Sequence, residues 1–275
     1  MEVTLSDGSG VIQRHHDFTT MQSPMRFVDV WLPPGYAAGG TRYPVLYMHD
    51  GQNLFDPATS YGGVDWGMDE AITRLMAEGK TGGAIVVGIW NTPQRRSEYM
   101  PQKPFASSPL LALTAMRAFW QPLRPGSDAY LRFLVGQVKP LIDGQYRTQP
   151  DQPNTFVMGS SMGGLISLYA LEEYPHIFGG AGCVSTHWPA GGNRLVDALA
   201  AALPKPGSHR LYFDFGTATL DSSYEPYQRR MDARLAAAGY TEGVDWLTHK
   251  FPGAEHSEKS WRERVYIPLE FLLKA

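Results

Sequence analysis

Residues 154–174 read NTFVMGSSMGGLISLYALEEY, and within this stretch the pattern changes from strand to helix. Residues 155–158 form a short apolar run that contains β-forming residues, which is typical of a buried strand. From Met162 onward the apolar residues return at helical spacing. The sequence therefore predicts a strand, a sharp turn and a helix with no room for a loop between them.

The turn itself is Gly159-Ser160-Ser161-Met162-Gly163, which matches the pattern G-x-S-x-G. Small residues two positions before and after the central serine allow the backbone to turn sharply and the helix to approach the strand. Ser161 is therefore expected to project at the tip, and the helix N-terminus behind it would favour a developing negative charge. The alternative, a plain structural turn, would hold if no histidine and acid followed downstream.

Composition sets the outer limits of the interpretation. The chain has 275 residues, of which 43% are hydrophobic and 19% charged, and this favours one large α/β domain over residues 1–275. A formal net charge of -3 gives no basic footprint for nucleic acid or an anionic membrane. No run approaches transmembrane length and the first residues lack a signal-peptide layout, so we expect a cytoplasmic protein, or a secreted one already trimmed.

Strand and helix patterns alternate along the rest of the chain. Further strands are predicted at residues 25–32, 44–48, 84–90, 178–186, 209–215 and 245–251, and helices at 67–80, from Ser127, and at 194–203, 226–238 and 258–274. The one cysteine, Cys183, lies in a predicted buried strand and excludes an internal disulfide. This rhythm predicts a mostly parallel sheet with helices on both faces and the site at the strands' carboxyl ends. Together with the strand, G-x-S-x-G turn and helix at 155–174, it is typical of an α/β-hydrolase fold.

Residues 91–126 differ from the rest because prolines and aromatic residues are scattered through them. Such long insertions are often functional loops or lids, so we predict that this segment lines the substrate pocket. Asn91, Arg95 and Tyr99 are predicted to bind substrate, since they closely follow a strand, although a surface role is about as plausible for any one of them. Trp188, next to His187 after another strand, is a further predicted substrate contact. It is one of four tryptophans that could stack on an aromatic or sugar group, with Trp66, Trp90 and Trp120, and at least two of the four are expected to belong to the core.

A serine hydroxyl needs a histidine to take its proton and an acid to hold that histidine. His256 is the best candidate base because it lies in a short loop between the last predicted strand and the last helix. Among the acids, Asp221 follows a strand and is free to turn toward His256, whereas Asp214 lies within that strand and Glu225 is further along. The order Ser161, Asp221, His256 is the order expected for this fold.

The oxyanion hole requires two backbone N–H groups. One is predicted at Met162, directly after the serine, and the other at Gln52, in the polar loop HDGQN at 49–53 that follows the strand at 44–48. The alternative for this loop is a simple solvated turn.

Several motifs together resemble an esterase family of α/β-hydrolases. The family includes feruloyl and acetyl-xylan esterases, S-formylglutathione hydrolases, enterobactin-type siderophore esterases and mycolyl transferases. The motifs are LPPGY at 32–36, VLYMHDGQNLFD at 45–56, GIWNT at 88–92, GSSMGG at 159–164, DFGT at 214–217 and GAEHSEKSW at 253–261. The resemblance implies that Ser161 is the nucleophile and His256 the base, with Asp221 as the acid. The interval FGTATLDSSY at 215–224 departs from the family pattern and leaves Asp214 open as the acid.

The sequence therefore predicts a serine carboxylic-ester hydrolase that forms an acyl-enzyme on Ser161. The expected partner is a small-molecule ester, with a small acyl group or a carbohydrate or aromatic moiety, and no nucleic acid or membrane. No metal or organic cofactor is expected, because no His, Cys or Asp cluster has metal-ligand spacing. Two alternatives remain: an acyltransferase that uses the same three residues, and a non-catalytic binding protein on a hydrolase fold.

Overall fold

A nine-stranded sheet in the order β1-β2-β3-β5-β4-β6-β7-β8-β9 runs through the computed structural model, which describes residues 1–6, 8, 10–16, 18, 26–108 and 125–274. The strands are β1 Glu2–Thr4, β2 Val11–His15, β3 Val28–Trp31, β4 Val45–His49, β5 Ile85–Ile89, β6 Thr155–Ser160, β7 Gly180–Val184, β8 Arg210–Gly216 and β9 Trp246–Phe251. The neighbours β5–β4, β4–β6, β6–β7, β7–β8 and β8–β9 pair in parallel. At the other edge, β1–β2, β2–β3 and β3–β5 pair antiparallel.

The helices lie on both faces of this sheet. They are α1 Met68–Ala77, α2 Arg95–Glu98, α3 Gln102–Ser107, α4 Ser127–Phe133, α5 Lys139–Gln145, α6 Met162–Glu173, α7 Gly192–Ala202, α8 Glu225–Ala237, α9 Glu258–Arg264 and α10 Tyr266–Leu272. None of the described helices has the length and apolar character needed to cross a membrane.

Strand β4 shows how the sheet divides the interior into two cores. Val45 and Tyr47 pack into one buried cluster, whereas Leu46 and Met48 pack into the other. Successive side chains of a strand point to opposite faces, so a strand buried on both sides reads as a continuous apolar run. Helices α4 and α6 contribute to the first cluster, and α1 and α10 contribute to the second. The predicted α/β-hydrolase fold is confirmed.

The sequence prediction missed or misjudged some elements. Strands β1 and β2 form an antiparallel edge in a polar segment that had no assignment. The predicted closing helix at 258–274 is in fact two helices, α9 and α10, which meet at Val265. Pro268 lies near the start of α10 and has no N–H to donate to the preceding turn, which favours a break at this point. Of the predicted insertion at 91–126, residues 109–124 lie outside the described part of the chain.

The carboxyl ends of four neighbouring parallel strands meet at one edge of the sheet. These ends are His49 of β4, Ser160 of β6, Val184 of β7 and Gly216 of β8. The loops that follow these four strands carry Gln52, Ser161, Trp188 and Asp221. Of the other predicted site residues, His256 follows β9, and Asn91, Arg95 and Tyr99 follow β5.

Candidate active site

Ser161 lies at a strained turn between β6 and α6. Its backbone has φ 58° and ψ −119°, a conformation that non-glycine residues rarely adopt, and its N–H donates to the carbonyl of Val184 at 2.9 Å. A Cβ at Gly159 would lie 3.0 Å from the backbone of Gly163. A Cβ at Gly164 would lie 2.8 Å from a side-chain oxygen of the next loop. Close packing therefore requires glycine at positions 159 and 164.

His256 lies in the loop between β9 and α9, and its imidazole is fixed by Asp221. Nδ1 of His256 lies 2.6 Å from Oδ1 of Asp221, and its backbone N–H donates to the Thr219 hydroxyl at 2.8 Å. The imidazole also packs edge-on against the ring of Trp261, with 5.0 Å between the ring centroids. The side chain of His256 is 10% exposed and that of Asp221 is fully buried. This arrangement leaves Nε2 as the nitrogen that can take a proton from a substrate or a nucleophile.

The Asp221 carboxylate accepts two more hydrogen bonds besides the one to His256. The Ser185 hydroxyl and the Gly216 N–H each donate to Oδ2 at 2.6 Å. Burial alone would raise the pKa of Asp221, but the contacts with His256, Ser185 and Gly216 outweigh it, and the pKa is lowered. Asp221 is therefore a carboxylate at neutral pH, and it can stabilise a positively charged imidazolium.

Ser185 connects this carboxylate to the buried ion pair between Arg264 and Asp214. Its hydroxyl oxygen accepts from Trp261 Nε1 at 3.1 Å and from Arg264 Nη2 at 2.9 Å. Arg264 also donates to both carboxylate oxygens of Asp214, at 3.0 and 3.1 Å. No sequence signal indicated Ser185 or Arg264, which lie 79 residues apart in the chain.

The two alternative acids have other partners. Asp214 is 1% exposed and is bound by Arg264, the Tyr212 hydroxyl and the Ser185 N–H. Glu225 lies at the start of α8 and pairs with Lys250 on the surface. Among the three candidates, Asp221 is the one whose carboxylate contacts His256.

Ser161 and His256 share one cavity of about 620 Å³. The described residues that line it are Asp50, Gln52, Asn53, Tyr61, Asn91, Arg95, Arg96, Ser160, Ser161, Leu220, His256, Glu258 and Trp261. Most of these side chains are polar, while Tyr61 and Leu220 are 78% and 57% exposed. The cavity that Ser161 lines therefore combines a polar wall with two exposed apolar groups.

The structure corrects two of the predicted substrate contacts. Asn91 and Arg95 line the cavity, but Tyr99 and Trp188 do not. Tyr99 is 0% exposed and Trp188 is 1% exposed, and both belong to a hydrophobic core. The indole N–H of Trp188 donates to Gln228, which satisfies its polar atom inside the core. The prediction that these two rings contact substrate is therefore wrong.

The loop predicted to complete the oxyanion hole leaves β4 through Asp50, whose φ of 58° is left-handed, and continues as a short 3₁₀ turn, Gly51–Asn53. Gln52 lies in this turn and lines the cavity, and Met162 begins α6 directly after Ser161. A Cβ on Gly51 would lie 2.3 Å from the backbone carbon of Gly88 in β5. Only glycine therefore allows the turn to pack this closely on the sheet.

Replacing Gly51 with alanine is expected to displace the loop and lower kcat for ester hydrolysis by about 100-fold, because misplacing catalytic groups by about 1 Å has effects of this size. Gly136→Ala is the control, since a Cβ there meets no heavy atom within 4 Å. Steady-state kinetics and thermal unfolding of both variants check this prediction. Unchanged kcat in the Gly51 variant would contradict the packing argument.

His187 and Tyr224 lie next to the site and were not predicted as a pair. Nδ1 of His187 lies 2.7 Å from the Tyr224 hydroxyl, and the Tyr224 ring packs edge-on against His256 with centroids 5.8 Å apart. Burial lowers the pKa of His187 to about 4, and repulsion from His256 in its protonated form and from Arg95 and Arg96 adds to this effect. His187 is therefore neutral at neutral pH.

This lowered pKa predicts a loss of stability in acid. Between its ordinary pKa of 6.5 and the folded value of about 4, the unfolded chain binds a proton at His187 that the folded chain does not. The stabilisation, at most about 3 kcal/mol, is complete above pH 6.5 and is lost as the pH falls toward 4. Denaturant unfolding between pH 6.5 and 4 should show that the free energy of unfolding falls less steeply with decreasing pH for His187→Gln than for the unsubstituted protein. If the free energy of unfolding fell equally steeply for both proteins, His187 would not be the group responsible.

No group of three or more His, Cys, Asp or Glu side chains in the described ranges is arranged to hold a metal ion.

The model of the family described as "Putative esterase" matches residues 19–267. The chain belongs to this esterase family. It is similar to the uncharacterized protein YbbA of Bacillus subtilis (strain 168), with 24% identity over 251 residues that cover 88% of this chain and 90% of YbbA. Membership of this family makes the protein a carboxylic ester hydrolase.

Two solved structures show the same fold. An IroE-like serine hydrolase from Shewanella oneidensis has a TM-score of 0.73 at 20% identity, with 95% of this chain and 79% of that chain covered. A ferulic acid esterase has a TM-score of 0.65 at 17% identity, with 95% of this chain and 97% of that chain covered. At these identities the similarity extends to the fold alone.

Proposed function

We propose that this esterase is a serine hydrolase that acts through an acyl-enzyme on Ser161, with His256 as the base and Asp221 as the acid. One observation carries the proposal. Ser161, at a strained strand-to-helix turn, opens into the same cavity as His256, whose Nδ1 is held at 2.6 Å by a buried carboxylate.

The proposed reaction has two steps. In the first, Ser161 Oγ attacks the ester carbonyl carbon while His256 Nε2 takes the hydroxyl proton. The carbonyl oxygen becomes an oxyanion, for which the N–H groups of Met162 and Gln52 are the proposed donors. His256 then gives its proton to the leaving alkoxide as the ester C–O bond breaks, and the acyl-enzyme remains.

In the second step water replaces the alcohol. His256 takes a proton from the water, the hydroxide oxygen attacks the acyl carbonyl, and the bond to Ser161 breaks as its oxygen recovers the proton from His256. Asp221 keeps its negative charge throughout and stabilises the imidazolium in both steps.

We propose substrates with a small acyl group or a carbohydrate or aromatic moiety. Support comes from the cavity, in which many polar side chains can donate to or accept from hydroxyl groups. Tyr61 and Leu220 expose apolar surface at the same cavity, and such surface can pack against a ring. The ferulic acid esterase with the same fold acts on an aromatic ester, as its name states.

Hydrolysis of p-nitrophenyl esters from acetate to octanoate, with methyl ferulate alongside, tests the substrate proposal. We expect a maximum of kcat/KM among the short chains and measurable hydrolysis of methyl ferulate. A steady rise of kcat/KM up to octanoate, with no hydrolysis of methyl ferulate, would contradict it. Leu220→Ala should lower kcat/KM for methyl ferulate more than for the acetate if Leu220 packs against the aromatic ring.

A further inference from the structure

The carboxylate of Asp50 is the most heavily bonded side chain at the loop that carries Gln52. Arg95 donates to it through two nitrogens, Nε at 2.6 Å and Nη2 at 2.7 Å, and Asn91 Nδ2 donates at 2.6 Å. The Asp50 backbone N–H donates to the hydroxyl of Tyr99 at 3.2 Å, and the Arg95 guanidinium lies 5.1 Å from the centroid of the Tyr99 ring. The Asp50 side chain is 9% exposed and that of Arg95 is 29% exposed.

This carboxylate lies beside the first turn of α6. A Cβ built on Gly163, the second residue of that helix, would lie 3.5 Å from Oδ2 of Asp50. Ser161 precedes the helix directly, and the Met162 N–H is one of the two proposed oxyanion donors. A negative charge at Asp50 is therefore a close neighbour of the place where the reaction develops its own negative charge.

The Asp50 carboxylate and the developing oxyanion repel each other because both are negatively charged, and this repulsion is stronger where water is excluded. Burial by itself would raise the pKa of Asp50, but the charge and hydrogen bonds of Arg95 outweigh it, and the pKa is lowered. Asp50 is therefore ionised, and its charge is compensated only as long as the guanidinium of Arg95 remains paired with it.

The same contacts hold the loop in place. Asn91 donates from its side chain to Asp50 and from its backbone N–H to the side-chain oxygen of Gln52 at 3.2 Å. The Asp50 carbonyl accepts the Asn53 N–H at 2.9 Å and closes the 3₁₀ turn. The segment after β5 is thus joined to the loop after β4 at both Asp50 and Gln52.

We propose that Arg95 is a positioning residue that neutralises Asp50 next to the oxyanion and fixes the loop bearing Gln52, and that it does not anchor the substrate. The inference rests on the proposed serine mechanism. It differs from the sequence-based prediction for Arg95, because the Nε and Nη2 side of the guanidinium is already engaged in a bidentate contact with Asp50, which leaves only its outer Nη1 and Nη2 hydrogens toward the cavity.

Charge-balanced variants test this inference. The variants are Arg95→Met, Asp50→Asn and the double variant, assayed with neutral p-nitrophenyl acetate and with the anionic mono-p-nitrophenyl ester of succinic acid. For both esters Arg95→Met is expected to lower kcat about tenfold or more with little change in KM. The double variant should regain most of that loss, because the uncompensated negative charge is then gone.

Two results would overturn the inference. A rise in KM for the succinate ester alone, with kcat for the acetate unchanged, would make Arg95 a substrate anchor. The second such result concerns the kcat of each variant relative to the unsubstituted protein. If this ratio for the double variant is as low as the product of the ratios for the two single variants, Arg95 supports the loop without compensating the charge of Asp50. Where Arg95→Met fails to fold, Arg95→Lys carries the test: its retained charge should keep kcat within about threefold, and a KM rise confined to the succinate ester would again overturn the inference.

Labelling of the unsubstituted protein with a fluorophosphonate separates this inference from the mechanism on which it rests. A label on Ser161, together with kinetics that do not follow the charge balance, overturns only the role of Arg95. Absence of a label on Ser161 in an active protein overturns both.

Discussion

Ser161→Ala is expected to lower kcat for p-nitrophenyl ester hydrolysis by about 10⁴-fold or more and to abolish labelling by a fluorophosphonate. The reason is chemical: alanine has no oxygen to form the ester bond of the acyl-enzyme, and water would have to attack the substrate directly. The fold should persist, because a smaller side chain relieves the strain at φ 58° only slightly and leaves the packing of the glycines unchanged. Steady-state kinetics, labelling and thermal unfolding measured on one preparation check all three expectations.

Ser160→Ala is the matched control for the labelling, because Ser160 is the neighbouring serine of the same turn and also borders the cavity. It should still be labelled, with the modified peptide carrying the probe on Ser161. If Ser161→Ala retained the label or more than a few per cent of kcat, Ser161 would not be the nucleophile. The proposal of a serine mechanism would then be wrong, although the esterase family and fold would stand.

Asp221→Asn is expected to lower kcat by about 10⁴-fold while leaving KM within a few-fold. Asparagine has nearly the same shape, but its amide nitrogen in place of the carboxylate can hold His256 in the wrong tautomer, and it cannot stabilise the imidazolium. The hydrogen bonds from Ser185 and Gly216, both 2.6 Å long, need an acceptor and fix which amide atom faces His256. The oxygen therefore faces Ser185 and Gly216, and the amide NH₂ faces Nδ1.

The other two candidate acids provide the comparison. Glu225→Gln should change kcat by less than about twofold, because Glu225 pairs with Lys250 on the surface. Asp214→Asn should lower the midpoint of thermal unfolding, because it removes the charge that compensates the buried Arg264 side chain. Its kcat per folded molecule should nevertheless stay well above the kcat of Asp221→Asn. A larger loss of kcat in Asp214→Asn than in Asp221→Asn would reverse the assignment of the acid.

The arrangement of Ser161, Asp221 and His256 could be predicted because each depends on a local signal. The glycines around Ser161 indicate a tight turn in which larger side chains would clash. His256 lies in a short loop after a predicted strand. In a parallel sheet the loops that follow neighbouring strands meet at one edge, so chain order is enough to bring these loops together. The parallel pairing from β6 through β9 places them at that edge.

The contacts that could not be predicted depend on packing between segments that are distant in the chain. A large ring after a strand can face the cavity or the core with equal ease, and Tyr99 and Trp188 face the core. Ser185 and Arg264 meet only after β7 and α9 have packed together, and neither residue belongs to a recognisable motif. The pairing of Arg95 with Asp50 could not be predicted either, because Asp50 lies 45 residues earlier in the chain and was assigned to the loop alone.

Trapping the acyl-enzyme shows whether the acyl group of the substrate is transferred to Ser161. The protein is mixed with p-nitrophenyl acetate, quenched in acid within milliseconds and analysed by mass spectrometry after proteolysis. We predict a mass increase of one acetyl group on the peptide that carries Ser161, at up to one per chain, and no such increase in Ser161→Ala. Rapid hydrolysis accompanied by acetyl on another residue, or by equal acetylation of the alanine variant, would contradict the mechanism.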